Sequence, residues 1–305
     1  MRISAILPAD HKGVPDAGTA RHLEELGFDR AAMPDLLIGD GTPGLDPALV
    51  LTAAAARTER IGLEFSVLNL PLRPVALVAA QVQALQHVSG GRAVLGAGIG
   101  GFPGSPFWRA LDAPVSGRGR ATDTALDALP GLIRGEAADV GGRRVALAPG
   151  AAVPPIFIGG NSEAAMRRAV RYGDGWAPSL IAPDDLAAKA RRLREIAGGL
   201  GRPVPAISVG GHGVLDTGGG RSGSDRADAS AAVRSFVDDV VRMHAVPEQA
   251  AARLPVTGGP EHVAERLAAY AEAGANSITL SLDGGAWPRQ AEVLAEARSR
   301  LARVG

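Results

Sequence analysis

Four consecutive residues, Gly159-Gly160-Asn161-Ser162, carry the clearest chemical suggestion in the chain. They follow the apolar run Ile156-Phe157-Ile158 and lead straight into SEAAMRRAVRYG, where Ala165, Met166, Ala169 and Val170 share one helical face. A strand, a glycine turn and a helix start with no spacer can cradle a phosphate. Glycine lets a ligand approach the backbone, and the free N–H groups of a first helical turn attract anions. A tight strand-to-helix turn with a polar cap uses the same residues, and these four alone leave both readings open. Other chemistries are thinly supplied. Cysteine is absent, which removes thiolate nucleophiles, disulfides and thiolate metal sites. The six histidines (11, 22, 87, 212, 244 and 262) include no pair at helical metal-ligand spacing, so no metal site is expected.

The elements that must position these residues alternate along the whole chain. Short apolar strands are predicted at 3–7, 28–33, 61–68, 92–98, 155–158, 175–178, 206–215 and 277–282. Between them lie amphipathic helices. One carries the stripe Val75, Val78, Val82, Leu85 and Val88, and another carries Leu186, Leu193, Ile196 and Leu200. A third carries Val263, Leu267 and Tyr270, opened by Pro260 and closed by Gly274. Eight strand–helix units in 305 residues suit a single closed parallel (β/α)8 TIM barrel over 1–305. A doubly wound open sheet is the alternative, but no G-x-G-x-x-G follows the first strand. Residues 135–151 read as a hairpin inserted before strand 5. The Gly/Ser/Asp-rich 216–230 reads as a mobile excursion after strand 7.

Composition is ordinary for a globular chain, at 46% hydrophobic and 21% charged. Thirty-two basic residues balance thirty-two acidic ones, which argues against a nucleic-acid or membrane-surface partner held by bulk charge. With no signal-like or membrane-spanning run, the expected location is the cytoplasm.

In a barrel, function sits at the carboxyl ends of the strands. In IGLEFSVLN the alternation puts Ile61, Leu63, Phe65 and Val67 on the helix side. Gly62, Glu64 and Ser66 then face inward, with Ser66 at the mouth. Ser208, Gly210 and His212 share a face on strand 7, so His212 also reaches the mouth, as do Ser281 and Asp283 on strand 8. Glu64 would lie one layer down and need a partner. Trp176 reads either as core or as a cofactor contact. Rich in Gly, Ser and Asn and poor in acid–base pairs, this mouth suits a reactive cofactor better than a hydrolytic site. A barrel aldolase would need a lysine nucleophile, and the only lysines are Lys12, in a loop, and Lys189, within a helix.

The chain resembles the luciferase-like monooxygenase superfamily, which comprises flavin-dependent luciferase relatives and oxidoreductases that use the deazaflavin coenzyme F420. The likeness runs from Ile3 to about Leu282 and is strongest over 58–101, 154–178 and 257–280. Arg73-Pro74, Ser89-Gly90-Gly91-Arg92 and Asp174-Gly175-Trp176 stand in the family's order. The resemblance implies a TIM barrel with a flavin-type ring in its mouth and Gly159, Gly160, Asn161 and Ser162 at the cofactor phosphate. It implies that Ile99, Gly100 and Gly101 border the ring, and that Ser66-Val67 forms a bulge with a non-prolyl cis peptide behind it. Many members place a catalytic histidine after strand 2. Here MPDLLIGDGTPG has none, and Asp35 is the nearest polar group. His11 or His212 would then serve, or the cofactor alone carries the reaction. The expected activity is hydride transfer between F420 and a small-molecule substrate. FMN-dependent oxygenation and a non-catalytic flavin-binding relative are the alternatives. Arg118 and Arg120 are candidates for the rim, and kinship implies a homodimer.

Overall fold

The computed structural model describes residues 1–9, 14–101, 104–216, 223–244 and 246–301. Eight parallel strands close on themselves. They are β1 (Arg2–Ile6), β2 (Arg30–Met33), β3 (Gly62–Asn69) and β4 (Ala93–Gly98), then β5 (Ile156–Gly159), β6 (Gly175–Ala177), β7 (Ala206–Leu215) and β8 (Ser277–Leu282). Each pairs with the next. β6 joins β7 through Gly175↔Ala206, and β8 joins β1 through Arg2↔Ser277, which leaves no free edge among the eight. This is the (β/α)8 barrel that the alternation predicts, with strand limits displaced by at most two residues.

Two features depart from expectation. The run from Gly223 is helical and continues to His244, so the second half of the expected mobile excursion at 216–230 is the start of a long helix. Residues 217–222 lie outside the described residues. A short strand that the sequence does not predict, Val256–Gly258, also adds to the last three residues of β7. Residues 135–151 do contain a hairpin, in which Ala138–Val140 pairs antiparallel with Arg143–Val145. Its turn residues Gly141 and Gly142 both have positive φ, as a two-residue hairpin turn of this hand requires.

The helix-side faces of the strands form the core. Leu63, Phe65, Leu95 and Ile278 are fully buried there against the stripes Val78, Val82, Leu85 and Leu186, Leu193, Ile196. Val88 and Leu200, at the ends of their helices, are exposed. Inside the barrel the partner that Glu64 needs is Arg30, whose Nη1 lies 3.4 Å from Oε2, with Thr279 Oγ1 at 3.5 Å. Burial pushes the Glu64 carboxyl up, against the opposing pull of Arg30. Glu64 is 3% exposed, so it is sealed from the mouth and acts within the scaffold.

At the amino-terminal end of the barrel Glu24 closes the turn into β3. Its carboxylate accepts N–H bonds from Glu59, Arg60 and Ile61, at 2.6 Å from Arg60 and 2.8 Å from Ile61. Burial pushes this carboxyl up, but the three N–H groups outweigh it and hold it below its ordinary 4.5. A carboxylate held down in this way stabilises the fold above that ordinary value, and the contribution is lost as pH falls through the lowered one. Glu24→Gln should therefore lower stability by about 1–3 kcal/mol at neutral pH, with the difference from the parent shrinking toward acid. Urea denaturation at a series of pH values measures this. A difference that stays flat with pH would contradict the clamp.

Candidate active site

The floor of the mouth is set by the end of β3. The register with β4 shifts between Phe65 and Leu68, and the Ser66–Val67 peptide is cis. The irregularity turns Val67 off the helix side, where simple alternation places it, and into the barrel against β4 and β5. A Cβ on Gly98 would lie 2.7 Å from one Val67 methyl, and one on Gly159 would lie 3.1 Å from both. These glycines are therefore clearances for Val67 as well as openings for a ligand. Ser66, Val67 and Ile99 are all half-buried.

The remainder of the β4 run is held by packing. Gly100 has φ of +82°, and a Cβ there would lie 2.3 Å from the indole of Trp108, which is 2% exposed. The Arg118 guanidinium donates to the Gly100 carbonyl and lies over the Trp108 ring. Gly100 is thus covered on that side and Arg118 is committed to the loop, whereas Gly101 and Arg120 are exposed.

The β5 end divides its labour between side chains and backbone. The Asn161 side chain clamps the next strand's loop: Nδ2 donates to Ser179 O at 2.7 Å, and Oδ1 accepts from Ser179 N at 3.1 Å. Ser162 Oγ caps the helix Glu163–Tyr172 by accepting from Ala165 N at 3.2 Å. Trp176 is fully buried and donates Nε1–H to Gly160 O at 2.7 Å. It therefore props the loop from below, a correction to its reading as a cofactor contact. The backbone N–H groups of Asn161, Ser162, Glu163 and Ala164 have no acceptor among the described residues. They are exposed, with Lys189 Nζ 2.9 Å from Asn161 O. Glu163, at the same helix start, is neutralised by Arg192 and Arg167, which hold its carboxyl down at about 2. A phosphate fits this cradle through the backbone amides, not through the Asn161 and Ser162 side chains.

On the far side of the mouth β7 and β8 bring together an acid–base pair that strand-by-strand reading did not assemble. His212 Nδ1 lies 2.6 Å from Asp283 Oδ2, and Ser281 Oγ donates to Asp283 Oδ1 at 2.8 Å. The carboxylate orients the ring through Nδ1, and Nε2 has no partner among the described residues, with the side chain about a third exposed. The ring stacks obliquely on Phe236 of the helix Gly223–His244, at 4.6 Å between centroids. Two hollows meet at Asp283 and Gly284. One, of about 470 Å³, is lined by His212, Phe236 and Val240; the other, of about 350 Å³, is lined by Pro8, Pro34, Leu36 and Trp287.

Asp35 is corrected as a catalytic candidate. Its side chain is fully buried and bound by Arg73 at 2.6 and 3.1 Å, and it accepts from Asn69 N at 3.0 Å. Burial would lower the Arg73 pKa, but Asp35 and Asp46 together raise it. The pair braces the loop after β2 against the end of β3, and no oxygen of Asp35 is left for a substrate. Arg92 and Asp174 are likewise scaffold: Arg92 donates to Ser89 O, Ile61 O and Thr58 O, and Asp174 accepts from Ile156 N. His11 lies outside the described residues. Among the described residues no cluster of three or more His, Asp or Glu could hold a metal, and no helix is long and apolar enough to cross a membrane.

Exposed helix-start residues after β5 and a histidine–carboxylate pair on β7 and β8 thus both stand at the carboxyl end of a closed parallel barrel. Residues 15–277 match the luciferase-like monooxygenase family, and the chain belongs to that family. An uncharacterized protein of Mycobacterium tuberculosis is 35% identical over 168 residues, 52% of this chain and 57% of that one. Limonene 1,2-monooxygenase of Rhodococcus erythropolis is 33% identical over 121 residues, 40% of this chain and 31% of that enzyme. The chain thus spans little more than half of the first relative and a third of the second. Among solved structures, an F420-dependent secondary alcohol dehydrogenase superposes with a TM-score of 0.81 at 16% identity, covering 99% of both chains. That likeness is one of fold.

The clamp makes a local prediction. Asn161→Ala should remove both bonds to Ser179, cost about 1–2 kcal/mol, and raise the hydrogen-exchange rate of the Ser179 amide while the β5 amides stay protected. Unchanged exchange at Ser179 would show that Asn161 is free to serve a ligand instead.

Proposed function

We propose that this protein transfers hydride between coenzyme F420 and a small organic substrate, with His212 exchanging the accompanying proton at Nε2. The His212–Asp283 bond carries this reading. Moving hydride to or from a carbon that bears oxygen requires a proton partner at that oxygen, and a histidine fixed by a carboxylate is suited to the task. The coenzyme supplies the hydride site when bound. Its phosphate would rest on the amides of Asn161 to Ala164, with Ser66, Val67 and Ile99 beside its ring. His212 stands in for the histidine that many family members carry after the second strand. Where they have it, this chain has the Asp35–Arg73 brace.

A second reading, FMN-dependent oxygenation, is favoured by the kinship with limonene 1,2-monooxygenase, and the same cradle would accept the FMN phosphate. Fluorescence titration of the purified protein with each coenzyme separates the two. Tighter binding of F420 by roughly tenfold or more is expected, and the reverse preference would overturn the first reading. With F420 bound, His212→Asn should lower the hydride-transfer rate by about 10²–10⁴-fold and leave coenzyme affinity unchanged. A loss well below that range would return the chemistry to the coenzyme alone.

A further inference from the structure

Within the barrel, beneath the mouth, one hydroxyl is stranded. Ser4 on β1 is fully buried, and its Oγ has no hydrogen-bond partner among the described residues. Ile3 and Ala5 on either side of it belong to the core, so alternation along the strand turns Ser4 inward. Strand register sets it level with Arg30 on β2 and Thr279 on β8. Neighbouring strands lie about 4.8 Å apart, so these three polar side chains share one inner layer. Glu64 reaches the same layer from β3, but both of its contacts are long. Arg30 Nη1 stands 3.4 Å and Thr279 Oγ1 3.5 Å from a single oxygen, Oε2, while Oε1 has no donor among the described residues. Charge-assisted bonds to a carboxylate run at about 2.5–2.9 Å. The Arg30 side chain makes no other hydrogen bond among the described residues and lies over the Phe157 ring, 5.1 Å from its centroid. Four residues thus face one another with bonds unmade or overlong, each at most 5% exposed.

Buried polar atoms in folded proteins find a protein or water partner, because an unmade bond there forfeits hydration with no return. The chemistry of the layer selects which guest can serve. A guanidinium only donates, an ionised carboxylate only accepts, and a hydroxyl does both. An anion has no hydrogen for Glu64, and a metal cation has no lone pair for Arg30. We infer that the barrel encloses a bound water in this layer, held by Ser4 Oγ, the Arg30 guanidinium and the Glu64 carboxylate. It accepts from Arg30, donates to Glu64 and shares a bond with Ser4, which gives it the roughly three partners that buried waters take. A guanidinium and a carboxylate persist together in an interior only when their remaining donors and acceptors are met, and the water meets them. Glu64 stands two residues before Ser66 on β3, so the guest belongs to the scaffold under the floor and not to the mouth.

The test is a high-resolution crystal structure of the full chain, paired with an NMR titration of the Glu64 carboxyl carbon. Density for a water is expected within about 2.7–3.2 Å of Ser4 Oγ, of an Arg30 nitrogen and of a Glu64 oxygen. A direct bond from Ser4 Oγ to a protein atom would overturn the assignment, as would a peak that turns anomalous after a bromide soak. Ser4→Ala removes one partner of the water without adding bulk, so the barrel still packs. The peak should then lose occupancy. The Glu64 carboxyl, which burial already pushes up, should titrate at still higher pH, having lost hydrogen bonding to its charged form. An unchanged peak in that variant, together with an unmoved Glu64 titration, would show that Ser4 holds nothing there and would sink the inference.

Discussion

The mouth of this barrel depends on one steric constraint, the inward turn of Val67. A Cβ at Gly96 would lie 2.1 Å from the Phe65 carbonyl oxygen, which is backbone and has nowhere to go. Gly98 and Gly159 clear the two Val67 methyls in the same way. The bulge on β3 is therefore paired with missing side chains on two other strands. Because the exposed helix-start residues begin where Gly159 ends, they and the floor belong to one packed unit. Trp176 and Asn161 then tie that unit to β6 and to the loop beyond it.

The other half of the mouth is built on different principles. β7 and β8 contribute polar side chains where β3 to β5 contribute backbone, and their register places Ser281 opposite His212. Only a short reach is then needed for Asp283 to meet the ring. Below both halves the interior is closed by Arg30 and Glu64, a buried pair whose carboxyl is driven toward its neutral form by desolvation. Breaking such a pair on one side leaves an uncompensated charge.

Much of this architecture was legible in the sequence, because a parallel barrel strand is a run of apolar residues with a distinct polar or small inner face. The eight strands and the 135–151 hairpin could be read locally, whereas the irregularity at Ser66-Val67 came only from the family resemblance and runs against the local alternation. The His212–Asp283 pair could not be read so, since each residue is unremarkable alone and they meet only through strand pairing across 71 positions. The Asp35–Arg73 brace was hidden for the same reason, and an acidic residue near a strand end was mistaken for chemistry. Gly, Ser and Asp at 223–230 masked a helix start, because composition was weighed there without the apolar residues Phe236, Val237 and Val240 that anchor it further on. Trp176 lay beyond sequence reasoning: a tryptophan at a strand end faces core or ligand according to a twist that only coordinates supply.

The helix Gly223–His244 does not join the main core. Phe236, Val237 and Val240 pack with Ala251 and Leu254 in a small cluster of their own. Substitutions at Val237 and Val240 would then be felt chiefly within that cluster, whereas one at Phe236 would also reach His212 on β7.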